Sequence, residues 1–361
     1  MKLSPDPFSL QSLAHASRAM GRVLDRNPFE IVEVVLDATV PLQTRRLMGA
    51  VLKARSSGFP ASLSEAQTVA KTDSPIITDE MHSCGLDRAA AAVRSLLASA
   101  ANVHTWSHAC LEQLIRKSME LRPSTLIKNG TGRTSREAFE NAESRKDYIP
   151  QETGPPSWVE EQRMFRSFWQ LQFFLELQGA AHKGRLDTNW PRQEVDVLSQ
   201  SSADRFYDVH NYQREQILTA LDFLGAVTSR TITLVEIVHE NAYSLPTIRS
   251  VGGAVSRSPC AELLSFERNK DTFSQGSKNL DQTPWAYRFY STMSSADGWL
   301  DGAPLTLVYS FQTWRKCGFV IWDEKRMVDL GMRHPKNSSH SKNMFFASFR
   351  WWSILTEEDL R

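Results

Sequence analysis

The sequence predicts a mostly α fold: an irregular multi-helix assembly with long loops and at most a few short strands. Three observations carry that expectation. Apolar residues recur at the i, i+3, i+4 spacing of amphipathic helices through most of the chain. Proline, Asn-Pro and glycine signals divide these stretches into segments of helical length. Extended signals are scarce: Ile232 to Val238 is β-branched but carries apolar residues at both spacings, and Cys317 to Trp322 reads as a short strand.

The elements follow in order. Leu10, Leu13, Ala14, Met20, Val23 and Leu24 form one apolar stripe from Phe8 onward, and the Asn27-Pro28 break ends it. The pattern resumes at Phe29, Ile31, Val32, Val34, Val35 and Leu36. Pro41, suited to a first helical turn, opens a third helix that ends near Gly58. Residues 59–84 read as a loop with at most one weak helix. Leu86 to Leu121 is the longest helical stretch, broken once near Asn102 and closed before Pro123, which disfavours helix in the residue before it.

From Ser124 to Pro156 the periodicity is lost among glycines, prolines and scattered charges. Arg116 to Lys146 holds eight basic and four acidic residues, which describes either a solvated loop or a docking patch for an acidic partner. Ser157-Trp158-Val159-Glu160 has the spacing of a capping box and starts a helix. Phe165, Phe168, Trp169, Leu171, Phe173, Leu175 and Leu177 give that helix its apolar side, and Glu160, Glu161, Arg163 and Arg166 its polar face. Asp204 to Val227 reads as another long helix, and Ser244 to Gln282 as loop. Pro284 and Pro304 each open a helix, through Trp285, Phe289 and Tyr290 and through Leu307, Phe311 and Trp314. Asp323 caps a last short helix, Glu324 to Leu330, stopped by Gly331. The expected domains are an N-terminal helical unit (1–121), a flexible linker (122–156) and an aromatic-rich helical body (157–361).

Composition narrows the function classes. The 361 residues are 41% hydrophobic, enough for a sizeable core. Forty-two Lys and Arg against 41 Asp and Glu leave +1, so no overall field recruits nucleic acid or an anionic membrane. Four cysteines without a C-x-x-C pair read as reduced thiols, and no apolar run approaches a membrane span. The residues after Met1 lack the apolar core of a secretory signal, so the expected location is the cytoplasm or nucleus.

The search for chemistry returns little. Dinucleotide and phosphate-loop glycine patterns, the nucleophile elbow and H-E-x-x-H are all missing from the sequence. His104 and His108 share a helical face beside Cys110, but a metal site needs three or four ligands and only Glu112 lies near. His210, His239-Glu240 and Cys317 beside Lys316 are isolated candidates for acid–base or nucleophilic work. The expectation is therefore no catalytic residue, no metal and no cofactor. Aromatic clusters stand out instead, among 18 Phe and 10 Trp. Trp169, Trp285, Trp322, Trp351 and Trp352 are the candidate partner- or ligand-binding aromatics, with core packing as the competing role. The apolar tail, Met344 to Leu360, is expected to dock back on the core; left exposed, it would bind a partner.

Two blocks, Pro155 to Gln172 and Gly318 to Gly331, resemble a broad group of filamentous-fungal proteins, many with an F-box-like N-terminus. Phe8-Ser9-Leu10-Gln11-Ser12-Leu13-Ala14-His15-Ala16-Ser17-Arg18-Ala19-Met20 looks like the second half of an F-box, within a partial F-box-like region 8–58. That family docks on the Skp-type adaptor of a ubiquitin ligase through a first half with a Leu-Pro turn, which Met1 to Pro7 does not supply. The resemblance implies a degenerate, substrate-recruiting subunit whose partner is another protein. The alternative is a helical ligand-binding protein or enzyme with an aromatic-lined pocket.

Overall fold

A computed structural model describes residues 7–55, 60–69, 85–126, 145–186, 190–227, 245, 280–295, 310–333, 350–351 and 353–355. Among them are thirteen helices and a single two-stranded antiparallel ladder, so the chain is nearly all-α, as its periodicity predicts. The helices are α1 (Pro7–Ala16), α2 (Arg18–Arg26), α3 (Pro28–Thr39), α4 (Leu42–Arg55), α5 (Leu63–Thr68) and α6 (Leu86–Glu120). The strands β1 (Ser124–Leu126) and β2 (Arg145–Asp147) follow, with Thr125 opposite Lys146. Then come α7 (Trp158–His182), α8 (Arg192–Gln200), α9 (Ala203–Phe206), α10 (Asn211–Val227), α11 (Trp285–Ser295), α12 (Gln312–Lys316) and α13 (Glu324–Asp329).

Local signals explain most boundaries. Asn27 ends α2 and precedes Pro28 at the first position of α3. The weak helix expected in 59–84 is α5, whose cap Ser62 accepts from the Glu65 amide at 3.2 Å. At α7 the capping box forms as spaced: the Ser157 amide donates to Glu160 Oε2 at 2.8 Å and the Glu160 amide to Ser157 Oγ at 3.4 Å. Asp323 caps α13 through the Arg326 amide at 2.9 Å, and Gly331, at φ 74°, follows its end.

Elsewhere the structure corrects the reading. The first stripe is two helices, because Ser17 takes an extended conformation (φ −133°, ψ 116°) and caps α2 from the Met20 amide. The long helix α6 runs unbroken through Asn102, whose side chain turns away from the helix to donate to the Leu245 carbonyl at 3.1 Å. The expected helix 204–227 is divided, since Tyr207 leaves the helical region and the His210 carbonyl starts α10 by accepting from Gln213 and Arg214. Cys317 to Trp322 is a run of turns, not a strand: Gly318 has φ 78° and its carbonyl accepts from both Ile321 and Trp322. The run 232–238 and residues 304–309 lie outside the described residues.

The chain forms two compact units, each assembled from separated stretches. One compact unit comprises Met1–Cys110 and Glu161–Lys278, the other Leu111–Glu160 and Asn279–Arg361. In the first, α1, α2 and α3 pack on one another, and Leu36, Leu47, Val51, Trp106, Phe168, Phe173, Phe174 and Ile217 are at most 0% exposed. The Trp190 indole donates to the Pro60 carbonyl and Glu194 accepts from the Leu63 amide, which fastens α8 to the start of α5. In the second unit, the part of the expected linker that the structure describes is anchored: Tyr148 and Gln151 both bond to the Asp329 carbonyl at 3.1 Å.

Gly331 shows how close this packing is. A Cβ added there would lie 2.2 Å from the Tyr148 ring, in a left-handed conformation that already disfavours L side chains. Gly184 has a similar φ of 62° with nothing within 4 Å. Gly331→Ala is therefore expected to cost about 2–4 kcal/mol in urea-unfolding free energy, and Gly184→Ala about 1 kcal/mol.

Candidate functional site

Four of the five candidate tryptophans fall among the described residues, and each is a packing element. Trp169 belongs to the first unit and is 3% exposed; Trp322 and Trp351 are fully buried in the second. Trp351 is a hub, with Phe289, Phe319 and Trp314 ring centroids at 4.8, 5.1 and 5.4 Å. Its indole donates to the Met332 carbonyl, and its own carbonyl accepts from the Trp314 indole, each at 3.3 Å. This seats residue 351 of the tail in the core, where the sequence led one to expect it. Trp285 is half-buried, stacked on Phe289 at 5.2 Å with the Arg333 guanidinium 5.1 Å over its ring. Trp322 donates to the Cys317 carbonyl at 2.8 Å and to Ser118 Oγ at 3.1 Å, while Arg326 covers its ring. Trp352 lies outside the described residues.

The polar candidates among the described residues include His104, His108, His210 and Cys317. His104 is held between Phe8 on α1 (4.5 Å, 3° between planes) and Phe165 on α7 (5.5 Å, 23°), with His108 4.3 Å away. Burial, with a smaller contribution from the His108 charge, pushes its pKa down to about 3, so the imidazole is neutral. Among the described residues no group of three or more His, Cys, Asp or Glu side chains is placed to hold a metal ion. His210 is exposed at the start of α10, where its amide is capped by Gln213 and its ring stacks on Tyr212. Cys317 ends α12, and its carbonyl accepts from Ser118 and Trp322. His239 and Glu240 lie outside the described residues.

The residues whose role the sequence did not show are those on the polar face of α7. Glu160, Arg163 and Arg166 are 0%, 5% and 2% exposed, so most of that face is buried too, with Glu161 half-buried. Glu160 accepts from Arg326 Nε on both oxygens, at 3.0 and 3.1 Å, and from the Asp323 amide at 2.9 Å. Arg326 also donates to Thr153 Oγ1 and, at 2.8 Å, to the Pro155 carbonyl. Burial raises the Glu160 carboxyl above its ordinary range, while the Arg326 guanidinium pulls it back. In the first unit, Arg55 donates to Glu176 at 2.6 Å and to Ser95 and Ser99 at 2.7 Å. Gln172 adds a further bond to Glu176 at 2.9 Å. The capping-box spacing pointed to Glu160, but nothing in the local pattern announced Arg326 as its partner 166 residues away.

What faces solvent is different in kind. Leu13 on α1 and Leu42 at the start of α4 are 39% and 42% exposed, and both fall within residues 8–58. No helix among the described residues is long and apolar enough to cross a membrane. The fold therefore defines the class, a nearly all-α protein with two compact units. No protein-family model, curated protein or solved structure matches the chain.

Two outcomes follow from this geometry. Glu160→Gln or Arg326→Met alone leaves one buried partner uncompensated and is expected to lower unfolding free energy by about 3–5 kcal/mol. Glu160→Leu with Arg326→Met is expected to cost less than the sum of the single changes, as measured by a double-mutant cycle in urea. His104 gives a pH dependence of known sign. The unfolded chain takes up its proton near 6.5 and the folded one only near 3, so stability is complete above pH 6.5 and falls as pH drops through that window. Between pH 7 and 5 the wild type should lose about 1–2 kcal/mol more than His104→Phe in parallel urea titrations.

Proposed function

We propose that this protein acts by binding another protein and performs no chemistry of its own. On this reading the N-terminal helices α1 to α4 are the docking element, and the Skp-type adaptor of a ubiquitin ligase is the first partner to test. The aromatic-rich remainder then carries the substrate-recruiting surface, and the place of action is the cytoplasm or nucleus, where such ligases work. The observation offered for this reading is that Leu13 and Leu42, within residues 8–58, are among the exposed large hydrophobic side chains and so are open to a partner. The interior supports it as well. The buried carboxylates Glu160 and Glu176 are turned onto arginines of the same chain, and Trp322 and Trp351 onto its own carbonyls.

The test is capture of the purified full chain on an immobilised Skp-type adaptor. Binding is expected, and Leu13→Asp should weaken it at least about tenfold without changing the thermal midpoint. Absence of binding by the unaltered chain removes the adaptor from the reading.

A further inference from the structure

The outer faces of α2 and α3 carry a complementary pattern. Helical residues advance by about 100°, so Arg18, Arg22 and Arg26 form one row along α2, with Ala19 and Val23 beside it. All five are exposed, while Gly21 and Leu24 face inward. The next helix repeats the design with opposite sign. Glu30, Glu33 and Asp37 form a row along α3, flanked by Val34 and Ala38, and all five are exposed over a buried face of Phe29, Val32, Val35, Leu36 and Thr39. Val23 and Val34 are 46% and 48% exposed.

Among the described residues, ion pairing within the chain engages only Asp37 of these two rows. Asp25, the acidic residue of α2, is drawn away to Arg94 on α6 at 2.7 Å, and Asp37 pairs with Arg45 on α4. Arg18, Arg22, Arg26, Glu30 and Glu33 make no ion pair among the described residues, although the two rows lie on helices that pack against each other.

We propose that this face binds a second copy of the chain, α2 of one protomer against α3 of the other. A two-fold axis repeats each contact, so one symmetric encounter pairs both basic rows with both acidic rows. The same encounter brings Ala19 and Val23 against Val34 and Ala38, covering the exposed valines. Solvent-exposed pairs contribute little each and are screened by salt, so the dimer is weak and dissociates as ionic strength rises. The inference goes beyond the adaptor reading and uses side chains other than Leu13 and Leu42.

Sedimentation equilibrium of the full chain at low salt, over about 1–200 μM, is the direct test. The weight-average mass should rise with concentration from 40.9 kDa towards twice that value and fall back at high salt. Arg22→Glu and Glu33→Arg should each weaken self-association at least about tenfold, with unchanged circular-dichroism melting. An equimolar mixture of those two variants should associate as the unaltered chain does, because a two-fold contact between them pairs opposite charges at both repeats. A chain that stays monomeric throughout, an Arg22→Glu variant that associates normally, or a mixture that stays monomeric would each overturn the proposal. Adaptor capture by Arg22→Glu is read separately, so loss of the dimer and loss of adaptor binding are distinguishable.

Discussion

The Glu160 carboxylate is the point on which the second unit depends. It closes the capping box at the start of α7 through the Ser157 amide, and it receives the Asp323 amide at the start of α13. Two helix starts far apart in the chain therefore share one anion, whose negative charge also suits the positive end of a helix dipole. Arg326, one turn into α13, returns to the same carboxylate and then reaches Thr153, Gly154 and Pro155. The irregular segment before α7 is held because the Thr153 hydroxyl and the Gly154 and Pro155 carbonyls have a charged donor.

Such an arrangement is demanded by burial. A helix buried on one side can turn its charges to water, but α7 cannot, since Gln162, Arg163, Arg166, Gln170, Gln172 and Glu176 are buried along with Phe168, Phe173 and Phe174. Each of those polar heads needs an internal partner, because a buried unpaired charge costs several kcal/mol. Arg166 meets Gln216 of α10 at 3.0 Å, and Glu176 meets Arg55 of α4. The polar residues thus dictate which elements lie beside α7. Apolar packing tolerates small shifts in register; a guanidinium facing a carboxylate does not.

This explains which parts of the fold were legible in the sequence. Signals that act within four residues read correctly: Ser157 with Glu160, Asp323 with Arg326, Asn27-Pro28, and Gly331 after α13. Signals whose meaning depends on distant chain did not. Asn102 looks like a helix breaker until Leu245 offers it a carbonyl, and a β-branched, aromatic run at 319–322 looks like a strand until Gly318 turns it over. Periodicity marks a polar side of α7 but not its burial, since period reports which residues differ, not what covers them. The two compact units are each assembled from separated stretches, an arrangement that no local composition shift marks.

The same distinction governs the candidate site. Clustered tryptophans are ambiguous in sequence, because a ring that completes a core and a ring that receives a partner have the same composition. Burial separates them: Trp322 and Trp351 donate to main-chain carbonyls and pack inside, so no face of either ring is left for an outside molecule. The proposed recognition role therefore rests on side chains that remain in water among the described residues. On α1 to α4 that remainder is ordered: aliphatic side chains stand beside rows of one charge on α2 and of the other on α3. A neutral total of +1 conceals this pattern, since oppositely charged rows cancel in the sum while remaining separate on the surface. Net charge excludes a long-range field, but short-range complementarity is decided by where each sign is placed, and here the placement favours a protein surface of matching alternation over a uniformly charged polymer.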